Sequence, residues 1–410
     1  MVDFIVGKKI YFEQSIQRRK IYLTISLALN LGLLGFFKYT NFFLDNIANL
    51  FTIEKDYIDI ILPVGISFFT FQSMSYTIDV YRKVIKYEES FLDFAVYISF
   101  FPQLVAGPIV LAKDFLIQLK DSRNIDLNSV FSGFYLIILG YFLKSVVADN
   151  LSVGADNFFM SPSNFNLIES WYYLYSYAFQ IFGDFAGYSY IAIGIAKIIG
   201  YQLPTNFNYP YLATSITDFW RRWHISLSTW LKNYLYISLG GNRISPARTS
   251  LNLMITMLLG GLWHGANWNF VIWGGIHGLA LVVDKKMVLL APSYYNSSNL
   301  VVKSFQIFIT FNIVCLSWIF FRTQDITHSI QVLNALFLNE NGILIPHLLG
   351  RVAFFLGVSV YVFVAIDSYL KSYKIVRQFQ FVFYSAAVLL MFVLSLGLGM
   401  RSSSFIYFQF

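Results

Sequence analysis

Charge is scarce in this sequence: Asp, Glu, Lys and Arg make up 12% of the 410 residues, while 57% are hydrophobic. Soluble domains carry about 25% charged and about 45–50% apolar residues, so water-soluble domains cannot account for most of the chain. Long polar blocks are missing as well. Apolar runs recur from residue 21 to residue 399, and residues 1–410 read as a single domain embedded in a lipid bilayer. The one cysteine, Cys315, excludes an internal disulfide and a paired redox site. In "IFITFNIVCLSWIFF" it reads as a small buried hydrophobe. No heptad, short repeat or low-complexity tract is visible. The first twenty residues lack an apolar core followed by a small-residue cleavage site, so no signal peptide is expected and the first span directs insertion. No carboxylate or cysteine accompanies His224, His264 and His277 at a ligand spacing, so a metal site built from these three lacks support, and no resident cofactor is expected.

What is present is apolar and aromatic, with 43 Phe, 28 Tyr and 8 Trp, which suits interfacial belts and packed helices. A transmembrane helix needs about 20 mostly apolar residues. Nine runs qualify: 21–43, 60–81, 129–148, 171–200 (long enough to break at Gly183 or Gly187), 249–264, 268–283, 301–321, 352–370 and 379–399. The expected fold is an all-α polytopic membrane protein. A tenth run, 91–111, contains "FFPQLVAGPIV"; its prolines and glycine predict a re-entrant or bent segment whose backbone is covered by protein or a cavity.

The net charge of +7 does not point to nucleic acid, because the basic residues lie in short loops where positive-inside bias places them. Residues 1–20, with Lys8, Lys9, Arg18, Arg19 and Lys20, are expected in the cytoplasm. The loop 44–59, with Asp45, Glu54, Asp56 and Asp59 against Lys55, is expected outside. If 91–111 does not cross, the acidic loop holding Asp149, Asp156 and Glu169 falls outside. The basic stretches 201–248, 284–303 and 371–377 (Lys371, Lys374, Arg377) then fall inside, and the C-terminus emerges outside. A multi-pass protein of the cytoplasmic membrane is expected.

The segment "TDFWRRWHISLSTWLKNYLYISLGGNR", 217–243, reads as an amphipathic helix at the cytoplasmic surface: Trp220, Trp223, Leu227, Trp230, Leu231 and Tyr234 recur at three- and four-residue spacing, and Asp218 beside Thr217 offers a cap. Arg221 and Arg222 either meet lipid phosphates or, with Lys232 and Arg243, hold the phosphates of a soluble donor. His328 and His347 fall in a polar outer loop and are expected to be solvated. His277, in "WGGIHGLAL", is flanked by small residues that let helices approach, which suits packing or hydrogen bonding. His264 ends a span at "HGAN". An ionisable group at such depth is a functional candidate by default, and a neutral imidazole is what a general base requires. The alternative is a neutral histidine donating to a helix carbonyl.

"LPVGISFFTFQSMSYTIDVYR", "FFPQLVAGPI", "NFNYPYLATSITDFWRRWHISLSTWLKNYLYISLGGNR", "MLLGGLWHGANWNFVIWGGIHGLAL" and the terminal "FIYFQF" together resemble the membrane-bound O-acyltransferase family, in its bacterial branch typified by the membrane subunit of alginate O-acetylation. The resemblance implies an acyltransferase with His264 at the centre of a tunnel joining the two membrane faces and His224 as a second functional position. It also implies an acetyl group taken from a cytoplasmic donor, acetyl-CoA, and passed toward an extracytoplasmic partner protein that O-acetylates a cell-surface or exported polysaccharide. By the same resemblance about fifty residues forming one or two N-terminal helices are absent here. Tyr190 stands where the branch commonly has Asp, and Ser238 where it commonly has Pro.

In such chemistry His264 acts as base toward an attacking hydroxyl or itself attacks to form an acyl-histidine; the base role is preferred. Asn267 and the indole N–H groups of Trp263 and Trp268 are donor candidates for a developing oxyanion. A transporter or flippase for lipid-linked sugars is the rival from another class. It predicts paired halves with matching broken helices, and no such symmetry is visible. An inactive scaffold for surface-polymer assembly is the third reading.

Overall fold

The computed structural model describes residues 1–52, 58–104, 107–122, 125–339, 348–372 and 389–399, with the backbone alone described at 348, 349, 363 and 366–372. Among these residues every regular element is helical. Glu54, Lys55, Asp56, His347, Lys374, Arg377 and the terminal "FIYFQF" lie outside the described residues.

Among the described residues three helices are long and apolar enough to cross a membrane: Ile16–Phe51, Leu127–Met160 and Leu300–Arg322. The expected count of nine is not confirmed on that measure, and of the expected span 379–399 residues 379–388 lie outside the described residues. The reason is visible in the helices that fall short. Ile66–Tyr81 begins only after Gly65, has 16 residues rather than the 22 positions of the expected span, and buries Gln72, Ser73, Ser75, Thr77 and Asp79 in protein. Leu167–Ile198 has 32 residues and likewise buries Ser170, Ser176, Gln180 and Asp184. A helix covered by protein need not be uniformly apolar, because its polar groups find partners there rather than in lipid.

That long helix is unbroken, against the expected kink at Gly183 or Gly187. Its glycines serve close approach instead. A Cβ at Gly187 would stand 2.7 Å from the Gly140 carbonyl oxygen, and a Cβ at Gly140 would stand 2.5 Å from that of Gly187. The two backbones touch there, as small residues allow. Asp149, expected in an outer loop, lies inside Leu127–Met160, just after a π-helical turn at Leu143–Ala148. The Lys144 Nζ reaches Asp149 Oδ1 at 2.7 Å and Asp184 Oδ1 at 2.9 Å. This buried cluster ties the two helices together, since charges removed from water persist only when paired.

The run 91–111 is bent as its prolines predict. Helix Phe91–Ser99 gives way to one turn, Phe101–Leu104, and no helix runs from Gly107 to Leu111. Its freed backbone groups find protein partners: Tyr97 Oη donates to the Val110 carbonyl at 3.0 Å, and the Ile109 N–H donates to Ser226 Oγ at 2.9 Å.

The element that matters most is the antiparallel pair Pro246–His264 and Trp268–Leu290. Ser245 opens the first helix by accepting from the Arg248 N–H, with Pro246 in its first turn, and Asn267 opens the second by accepting from the Asn269 N–H. A Cβ at Gly261 would meet the Phe270 carbonyl oxygen at 2.1 Å, and one at Gly274 would meet that of Met257 at 2.2 Å. The three-residue link Gly265–Asn267 therefore joins two helices whose backbones are in contact.

Candidate active site

His264 is the last residue of its helix, and the backbone turns extended at Gly265 (φ −164°, ψ 154°). The imidazole is 4% exposed. Its ring centroid lies 5.1 Å from Trp263, 5.0 Å from Trp273 and 5.2 Å from Phe321. Aromatic walls of this kind exclude water and weaken screening around any polar group inside them.

The segment 217–243 is not one surface helix. It breaks into Ile216–Arg222, Ile225–Trp230 and a π-helical turn at Leu231–Tyr236. The first piece is capped by Ser215, which accepts from the Asp218 N–H, rather than by Asp218 itself. The break falls at Trp223 and His224, and the aromatic stripe Trp220, Trp223 and Trp230 is buried in the protein core. Three- and four-residue spacing reports an apolar stripe but not what covers it.

His224 sits at that break with φ 42° and ψ 55°, a left-handed conformation unusual for a residue with a side chain. The residues around it hold it there. The Ile225 N–H donates to the Asn206 carbonyl at 2.9 Å, and the Ser226 N–H and Oγ both donate to Asn206 Oδ1, at 3.2 and 2.8 Å. The ring is fully buried, with Phe185 at 4.6 Å and Trp263 at 6.2 Å between centroids. Neither Nδ1 nor Nε2 has a hydrogen-bond partner among the described residues. A buried polar group normally finds one, and backbone strain of this kind clusters at functional sites, which keeps His224 a candidate.

Trp263 stands between the two histidines. Its Nε1 is buried and bonded to nothing among the described residues, and the same holds for Trp273 Nε1. The structure thus brings His264, His224 and Trp263 into one aromatic-walled cluster. Trp273, which the sequence reading missed, completes it, and its only sequence signal is a tryptophan one turn before His277.

Other candidates are employed elsewhere. Asn267 donates one N–H to the Gln324 carbonyl at 2.6 Å, and its Oδ1 caps the next helix, which leaves its second N–H. Trp268 is 54% exposed and donates to Asn46 Oδ1 at 2.8 Å. His277 Nδ1 takes the Trp220 Nε1 proton at 3.3 Å, and its Nε2 lies 2.9 Å from Ser317 Oγ, which donates onward to the Val314 carbonyl at 2.7 Å. An indole N–H only donates, so the imidazole proton is on Nε2 and both nitrogens are used, the hydrogen-bonding role among those expected of His277. His328 is half-buried rather than solvated, with Nε2 2.5 Å from the Phe159 carbonyl.

The four basic residues differ in their surroundings. Arg222 is bound to Asp218 at 2.8 Å, one turn back in its own helix. Arg221, Lys232 and Arg243 are exposed, with no ion pair among the described residues. Arg82, unforeseen from sequence, donates to the Asn233 carbonyl at 3.0 Å and to Ser238 Oγ at 2.8 Å, which pins the turn after Trp230. Among the described residues no group of three or more His, Cys, Asp or Glu is placed to hold a metal ion.

A second unforeseen residue touches the site directly. Lys38, in the π-helical turn Gly35–Tyr39, donates from Nζ to the carbonyls of Trp263 at 2.7 Å and His264 at 2.8 Å.

The family model for MBOAT, the membrane-bound O-acyltransferase family, matches residues 80–323, which include both histidines and the tryptophans around them. A peptidoglycan O-acetyltransferase of Helicobacter pylori is 38% identical over 381 residues, covering 87% of this chain and 72% of that protein. A probable alginate O-acetylase of Pseudomonas aeruginosa is 40% identical over 321 residues, covering 77% of this chain and 60% of that protein. A teichoic acid D-alanyltransferase of Streptococcus thermophilus is 31% identical over 289 residues, covering 63% of this chain and 68% of that protein.

Proposed function

Since the chain belongs to the membrane-bound O-acyltransferase family, we propose that it takes an acetyl group from cytoplasmic acetyl-CoA and passes it across the membrane for O-acetylation of a cell-surface or exported polysaccharide. An acetyl group is favoured over D-alanine because the relatives named for acetylation are 38% and 40% identical, against 31% for the D-alanyltransferase. The observation that carries the reading is the buried cluster in which His264 and His224 flank Trp263, whose indole N–H is idle.

The chemistry needs a base, a donor for the oxyanion and a dry pocket. A hydroxyl attacks the thioester carbonyl while the neutral His264 imidazole takes its proton. The carbonyl oxygen becomes negative and is met by the Trp263 N–H, with Trp273 as a second donor. Collapse breaks the C–S bond, and the imidazolium returns the proton to the leaving thiolate. General-base assistance of this sort is typically worth 10²–10⁴-fold. Arg221, Lys232 and Arg243 remain the candidates for donor phosphates. Arg222 stays among them, since its pair with Asp218 uses Nε and leaves other N–H groups of the guanidinium to donate. A nine-span arrangement around a tunnel, with 91–111 not crossing and a partner protein finishing the transfer outside, belongs to the same reading.

The test is transfer of label from acetyl-CoA by the purified protein, with and without an extracytoplasmic fraction, for the native chain and for His264→Gln. Gln keeps a donor and an acceptor at similar reach but takes no proton near neutral pH. The variant is expected to insert, survive extraction, bind acetyl-CoA and lose at least ~10²-fold in transfer. Near-normal transfer at matched abundance would falsify the assignment. Absence of transfer by the native chain, with sugar export intact, would favour a transporter.

A further inference from the structure

Lys38 is a cation inside an apolar helix, and such residues mark function or a specific partner. Among the described residues no carboxylate pairs with it. Its partners are the carbonyls of Trp263 and His264, at 2.7 and 2.8 Å. The neighbouring Tyr39 Oη donates to the carbonyl of Leu262 at 2.7 Å. Three consecutive acceptors at the end of the Pro246–His264 helix are thus satisfied by two adjacent side chains from a distant part of the chain. The last four carbonyls of any helix lack intrahelical partners, and here side chains supply the donors for three of them. The helix end also carries partial negative charge, which a cation complements. A π-helical turn, a feature often found at functional sites, carries both donors. It inserts one residue, which rotates the helix beyond it by roughly 100° relative to a regular α-helix.

Resting on the reading of His264 as the reacting imidazole, we infer that Lys38 and Tyr39 are positioning residues for it. They fix the backbone at Leu262, Trp263 and His264, and so set where the imidazole and the Trp263 indole point. They act through those carbonyls and not on the substrate.

The test uses the full chain in membranes with labelled acetyl-CoA at matched abundance. Misplacing a catalytic group by about 1 Å costs on the order of 10²-fold, so Lys38→Met is expected to lower turnover at least ~10-fold while the donor's Michaelis constant stays within about twofold. Lys38→Arg, which keeps the charge and the donors, is expected to recover part of the loss, and Tyr39→Phe to show a smaller one. In a His264→Gln background Lys38→Met is expected to cost much less than in the native chain, because only the Trp263 indole is then left to misplace. Undiminished turnover in Lys38→Met, a change confined to the donor constant, or a loss that multiplies in the His264→Gln background would each overturn the inference. Should Lys38→Met fail to reach the membrane, Tyr39→Phe decides it: native turnover in that variant overturns the inference. Transfer surviving in His264→Gln alone counts against the base assignment instead, so the two failures are distinct.

Discussion

His224 keeps a left-handed backbone that a Cβ disfavours by roughly 1–2 kcal/mol, at a position where glycine would be unstrained. The imidazole is retained there in spite of that cost. His224→Gly is therefore expected to be more stable than His224→Ala by about 1 kcal/mol in denaturation from detergent, the reverse of the order inside a helix. Both variants should lose transfer alike, since both lose the ring. An alanine variant as stable as the glycine one would mean that the turn relaxes once the ring has gone. At this scale the sequence distinguished His264 through its depth and the "HGAN" break, and for His277 it left packing and hydrogen bonding open, of which the fold shows hydrogen bonds at both ring nitrogens. It could not distinguish an idle indole from an occupied one. Asn267 and Trp263 are equally good donors on paper, but only the fold shows that one Asn267 N–H is engaged by the Gln324 carbonyl while the Trp263 N–H has no partner among the described residues.

The pair of helices on either side of Gly265–Asn267 depends on where their glycines fall. Gly274 and Gly275 are neighbours in sequence and differ completely in surroundings. A Cβ at Gly274 would stand 2.2 Å from the Met257 carbonyl oxygen, whereas one at Gly275 would make an ordinary contact of 3.6 Å with Leu258 Cδ2. Gly274→Ala is expected to force the helices apart, lowering stability by about 1–3 kcal/mol and reducing transfer by displacing His264. Gly275→Ala should be neutral or raise stability by up to about 1 kcal/mol, from helix propensity alone. Thermal unfolding of the two extracted variants checks this, and equal midpoints would contradict the contact. That small residues let these helices approach was legible in "WGGIHGLAL". Which glycine makes the contact was not, because one position along a helix is a rotation of about 100°.

Sidedness belongs to the whole molecule. The charge pattern places 112–128 inside and 149–170 outside provided that 91–111 does not cross, and the broken helix there fits a segment covered by protein. Single cysteines at Ser122 and Ser163, in a Cys315→Ser background, are expected to react differently with an impermeant thiol reagent, only Ser163 labelling from outside. Labelling of Ser122 from outside would mean that the segment crosses. Asp149 no longer counts among the outer loop charges, since it is buried against Lys144.

Composition and run length determined that this chain is helical and belongs in a membrane, because transfer of apolar side chains from water dominates any local preference. The motifs around His224 and His264 determined its family. Tertiary structure alone decided that the 217–243 stripe turns inward, that Arg222 pairs with Asp218, and that Lys38, some 225 residues away in sequence, closes the helix carrying His264. Each of these depends on which groups are left without water once the helices pack. A sequence supplies the inventory of donors and acceptors, and only packing decides which of them must satisfy one another.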